Sequence, residues 1–106
     1  MFFELRQYTA TPGNRDALVK IMEEEVIPFQ TKCGMVILGS FVAEENADAY
    51  VWIRRFASES ERERLYTDVY QSDFWKNDVG PRVGPLIIRE SINVTRLLAT
   101  PRSPIQ

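Results

Sequence analysis

Glu4, Arg6 and Tyr8 alternate along the opening run MFFELRQY, and Trp52, Arg54 and Phe56 alternate along AYVWIRRF. In an extended strand, alternate residues share a face. Each run therefore loads one side with rings and charges, while Phe3, Leu5 and Gln7, or Val51 and Ile53, take the other. A guanidinium in such a row offers fixed donors to a carboxylate, enolate or phosphate. A carboxylate beside an arginine is a base with an orienting partner. On this reading Arg54 stabilises developing negative charge, and Tyr70 or Tyr8 manages a proton. Arg6, Glu4, Trp52, Tyr66, Arg62 and Trp75 would then complete a ligand-binding wall.

Each of these residues also has a plainer role. Arg54 fits a buried ion pair with Glu4 as well as an anion site. Glu4 with Arg6 fits a strand-surface or dimer-interface pair. Tyr8, Tyr66 and Tyr70 fit packed rings with hydrogen-bonded hydroxyls. Trp75, in SDFWKND, fits an anchor for a short helix, and Arg62 fits a surface residue paired with Glu59 or Glu61. The acidic run Glu23–Glu25 reads as a solvated helix face, and Cys33 as a packed thiol.

Composition narrows the chemistry. The chain of 106 residues has no histidine and one cysteine. A Ser-His-Asp or Cys-His mechanism is thereby excluded, and so are a zinc site of the usual kind and a histidine axial ligand to haem. No cofactor and no metal are expected; any chemistry runs on Arg, Tyr, Glu, Asp, Trp or the substrate. Thirteen basic against fifteen acidic residues give a formal charge of −2, which makes no electrostatic case for nucleic acid. No apolar run is long enough for a membrane span, and the opening strand pattern leaves no signal-like core. The expected location is the cytoplasm.

The elements that must position these residues follow in order. Residues 2–10 alternate as a first strand. TPGNRDAL supplies a turn, with Asn14 as the helix cap, and Leu18, Ile21, Met22 and Val26 repeat at helical spacing. Pro28 is expected to kink or shorten that helix, and Gly34 to end it. MVILGSFVA is a second strand, in which Gly39 marks a bulge or a close backbone approach, and AYVWIRRF a third, joined to it as a hairpin. Ser58 with Glu61 forms a capping box before a helix whose Arg62, Leu65, Tyr66, Val69 and Tyr70 share a face. QSDFWKNDV reads as a short helix capped by Ser72 or Asp73. GPRVGP reads as a break, and LIIRESINVTRLL as a long final strand with Arg89 and Asn93 on one face, Glu90 and Arg96 on the other. That alternation suits a sheet edge or dimer seam.

The order β-α-β-β-α-β predicts an α+β, ferredoxin-like sandwich, with a four-stranded antiparallel sheet ordered 4-1-3-2 and helices on one face. Residues 1–98 form the domain, and 99–106 an extended or disordered arm. The two charged rows become neighbours, and the uncovered face calls for a second subunit.

The combination of ELRQY, TPG and YVWIRRF with Arg62, Tyr70 and Trp75 downstream resembles the NIPSNAP family, from about residue 2 to residue 98. The resemblance implies a dimeric α/β barrel in which two such sheets close face to face. Its fold superfamily includes cofactor-free monooxygenases and isomerases. The expectation is thus a homodimer, or a higher homo-oligomer, with an aromatic and Arg-lined pocket for a small anionic or carbonyl-bearing molecule. Cofactor-independent oxygenation or isomerisation is one use of it. A non-enzymatic interaction or stress-associated module, acting through the tail, is the other.

Overall fold

The computed structural model describes residues 1–106. Strand β1 (Phe2–Thr9) leads through the Pro12–Gly13 turn into α1 (Arg15–Ile21), a π-helical segment (Met22–Val26) and α2 (Ile27–Cys33). Pro28 lies in the first turn of α2, where a missing N–H is tolerated and the wider π turn precedes it. Gly34 ends the helix with φ 111°. Its N–H reaches Thr31 O at 3.0 Å and that of Met35 reaches Gln30 O at 2.9 Å, the paired bonds of a Schellman cap. Asn14 occupies the N-cap position of α1 without capping it. Its amide is drawn back to Thr11 Oγ1 at 2.7 Å, which corrects the expected cap.

Strands β2 (Val36–Val42) and β3 (Ala49–Phe56) form the hairpin, with the register slipping between Ile37 and Gly39. The bulge places the Phe41 ring where a side chain at position 39 would stand, so the glycine is needed for close packing. Helix α3 (Glu59–Tyr70) starts at Ser58, whose hydroxyl accepts from Glu61 N at 3.1 Å while Glu61 Oε1 accepts from Ala57 N at 3.0 Å.

The second half departs from expectation at two places. GPRVGP does not break the chain: a π-helical segment (Phe74–Val79), α4 (Gly80–Val83) and a 3₁₀ turn (Gly84–Leu86) follow one another. Pro81 and Pro85 each fall in a first turn, where a proline costs no hydrogen bond. The long final strand is also absent. Ile87 makes one isolated bridge with Ala10, Arg89–Ser91 is a 3₁₀ turn, and β4 covers only Asn93–Leu97. Ser91 causes the interruption. Its hydroxyl accepts from Thr9 N at 2.9 Å across the sheet and donates to Ile88 O at 2.5 Å within the turn, in place of ladder bonds.

The sheet order is β2-β3-β1-β4, all antiparallel, an α+β ferredoxin-like fold. Glu4 pairs with Arg54, Arg6 with Trp52 and Tyr8 with Tyr50. This row faces the helices: Tyr8, Trp52 and Tyr50 join Leu18, Met22 and Val79 in one core, and Phe2 and Phe56 join Met35, Leu65 and Val69 in another. The opposite face carries Phe3, Ile53 and Leu97, which line one pocket together with residues of the 99–106 segment. That segment turns at Thr100–Ser103, and Arg55 donates to the Gln106 carbonyl at 2.7 Å.

Candidate functional site

Charge at the sheet centre is organised around one carboxylate. Glu4, only 2% exposed, accepts from Arg54 Nη2 at 2.7 Å, Arg62 Nε at 2.8 Å and the Tyr66 hydroxyl at 2.8 Å. Arg6 Nη1 stands 3.6 Å away. Burial alone would raise this acid, but the Arg62 hydrogen bond and the Arg54 charge overturn it and hold its pKa at about 2. A carboxyl so acidic is a weak base at neutral pH.

Arg54 is completely buried. Its guanidinium carbon lies 4.7 Å from the Trp52 ring centre and 5.0 Å from that of Tyr66. Nη1 donates to Tyr70 Oη at 2.9 Å and Gln30 Oε1 at 3.0 Å, while Nη2 also reaches Tyr66 Oη at 2.6 Å. Burial disfavours its charge, but Tyr70, Tyr66 and Glu4 more than restore it, and the pKa lies above the usual arginine value. Arg62 covers the outer side of the cluster, stacked 4.1 Å from the Tyr66 ring centre and bridged to Glu59 at 3.2 Å.

Beside this cluster lies a cavity of about 520 Å³. Its sheet side is Arg6, Tyr8 and Trp52; α3 contributes Tyr66 and Tyr70; the π-helical segments contribute Met22 and Val26, then Trp75 and Lys76. Of the sequence-predicted residues, Arg6, Tyr8, Trp52, Tyr66, Tyr70 and Trp75 meet on this wall. Glu4, Arg54 and Arg62 stand behind it. They hold the tyrosines rather than reach the cavity, which corrects the expectation that Arg54 contacts a ligand directly.

Proton positions follow from the partners. The Tyr66 hydroxyl gives its hydrogen to Glu4, and burial pushes its pKa up to about 12. Tyr70 only accepts, from Arg54 and from Gln30 Nε2 at 3.4 Å. Tyr8 only accepts, from Arg6 Nε at 2.9 Å. Both therefore keep a hydroxyl hydrogen without an acceptor in the chain, and Arg6 Nη2 has none either. Trp52 Nε1 is a further buried donor without a partner. The lining contains Arg6, Lys76 and Arg89 and no Asp or Glu. The wall is thus rich in donors, positive and aromatic.

Trp75 is fixed by its neighbours: its backbone N–H donates to Ser72 Oγ at 3.1 Å, and its ring stands edge-on to Tyr70 at 5.0 Å. A side chain at Gly80 would collide with the Trp75 carbonyl. Reading the sequence missed Gln30, Lys76 and Arg89 as lining residues. By pattern Arg89 belongs to a strand at a sheet edge or dimer seam, and only the 3₁₀ turn carries it to the cavity. Lys76 sits next to Trp75 in the same short helix, a neighbourhood that offered a signal. Gln30 offered none.

The NIPSNAP family model matches residues 3–104. No curated protein matches the chain. Among solved structures, a protein of Agrobacterium tumefaciens is 26% identical, with TM-score 0.89 and 100% of both chains covered. A NIPSNAP family protein of the same organism is 26% identical, with TM-score 0.88 over 99% of this chain and 98% of that one. An antibiotic biosynthesis monooxygenase, 14% identical with TM-score 0.70, over 95% of this chain and 100% of that one, shares the fold. With a family model spanning both charged strands, the cavity and the final strand, the chain belongs to the NIPSNAP family.

Proposed function

We propose that this protein is a homodimer that binds a small, anionic or carbonyl-bearing organic molecule in the cavity on the helical side of its sheet. One observation carries the reading. Tyr8, Tyr70 and Arg6 Nη2 present uncommitted hydrogens to a lining that holds no carboxylate. Such a set pairs with an oxygen-rich acceptor and with negative charge. Arg54 is a positioning residue: it fixes the Tyr70 and Tyr66 oxygens as acceptors, so that Tyr70 donates outward. The aromatic walls suit a conjugated body.

The same geometry bounds the chemistry. Donors that stabilise an enolate are present, but the lining offers no histidine and no carboxylate to generate one. The turnover that fits is cofactor-independent oxygenation or isomerisation of a substrate that arrives already ionised. The dimer reading rests on the opposite sheet face, where Leu38 is 37% and Phe41 53% exposed.

Native mass spectrometry of protein purified gently from its own host tests this reading. The expected result is a dimer with a reproducible organic-acid adduct, absent from Arg6→Gln. A monomer, or a dimer in which wild type and Arg6→Gln are equally free of adduct and equally indifferent to added aromatic carboxylates, overturns it.

A further inference from the structure

Besides Arg6, the cavity is lined by two further cations. Lys76 and Arg89 line it on the side formed by the π-helical segment 74–79 and the 3₁₀ turn 89–91. Neither has an ion pair within the chain, whereas the rim's neighbour Arg82 is bound to both Glu25, at 2.6 Å, and Asp78, at 3.1 Å. Arg6 belongs to the sheet side instead, held by Tyr8 and Tyr66. Trp75, Ile87 and Ile92 contribute apolar lining. Positive charge on two separate elements of an acid-free, aromatic cavity is matched by a ligand with two anionic heads.

We infer that the ligand is an amphipathic dianion: a conjugated or aromatic body with one carboxylate-like head at Arg6, Tyr8 and Tyr70, and a second at Lys76 and Arg89. This rests on the anion-binding reading above and adds the second head. The first head is desolvated among buried and half-buried donors and supplies orientation. The second meets exposed cations, so its contribution is screened and falls with added salt.

The test is isothermal titration of three rigid acid pairs: benzoate with terephthalate, 2-naphthoate with naphthalene-2,6-dicarboxylate, and biphenyl-4-carboxylate with biphenyl-4,4′-dicarboxylate. Each monoacid is the internal reference for its diacid. In the wild type, the best-fitting diacid binds about tenfold tighter than its monoacid: about fivefold from two exposed ion pairs in the middle of their range, and about twofold because either carboxylate of the symmetric diacid can take the first head. In the Lys76→Gln/Arg89→Gln variant the ratio falls to about two, the statistical value left for a symmetric diacid when those screened pairs are gone. Arg64→Gln, an exposed cation outside the cavity, keeps the wild-type ratio. Monoacids that bind with no diacid preference beyond the statistical twofold in any pair overturn the second head and leave the single-anion reading standing. A preference beyond that value that survives in the double variant overturns the assignment to Lys76 and Arg89. Failure of every acid to bind overturns both readings.

Discussion

Replacing Glu4 by Gln should cost this protein a large part of its stability. The substitution keeps the shape and removes the one negative charge on which Arg54, Arg62 and Arg6 converge. Arg54, fully buried, cannot turn to water for compensation. Two estimates of the cost meet. Leaving a buried guanidinium without its partner costs about 3–5 kcal/mol. Holding the Glu4 carboxyl at about 2 instead of 4.5 corresponds to about 3 kcal/mol of stabilisation by the folded environment. Gln keeps an oxygen that accepts from Arg54, so the lower figure applies. For a chain of this length, about 3 kcal/mol lowers Tm by roughly 14 °C. The assay is thermal or urea unfolding at equal protein concentration, since assembly makes Tm concentration-dependent. The pH dependence follows in sign. A carboxyl with a depressed pKa contributes fully above its unfolded value of 4.5, and that contribution is lost as pH falls toward about 2. Wild type should therefore lose its advantage over Glu4→Gln across that window. A Glu4→Gln protein within about 0.5 kcal/mol of wild type at neutral pH, where surface changes usually fall, would refute the claim that this carboxylate neutralises the buried arginines.

Gly34→Ala tests the helix cap: at φ 111°, with Leu65 Cδ2 at 3.3 Å from the added carbon, the left-handed conformation costs about 1–2 kcal/mol, read as a shift in urea midpoint. Gly80→Ala should push the Trp75 backbone and unseat the indole, destabilising the fold by about 1–3 kcal/mol and changing tryptophan fluorescence. An unmoved spectrum would show that Trp75 is not held through Gly80.

The alternation of Glu4, Arg6 and Tyr8, and of Trp52, Arg54 and Phe56, determined two charged strand faces without help from the rest of the chain, because a strand allows side chains only two directions. The capping pair at Ser58 and Glu61, the stop at Gly34 and the bulge at Gly39 were equally local, each fixed by bonds or dihedrals within a few residues. From these the element order and the sheet order could be argued. Whether Arg54 reached a ligand or Glu4 could not, because that depends on which helix residues arrive over the strand: Gln30, Tyr66 and Tyr70 come from two different helices. The same limit hid Arg89. Its segment reads as a strand by pattern, yet the bond from Thr9 N to Ser91 Oγ, across the chain, turns it into a 3₁₀ turn and swings the arginine to the cavity. Short-range geometry was written in the sequence. The partners of each buried charge, and so the division between a structural cluster and a binding wall, were decided only by tertiary packing, since desolvated charges take their meaning from whatever the fold brings within hydrogen-bonding reach.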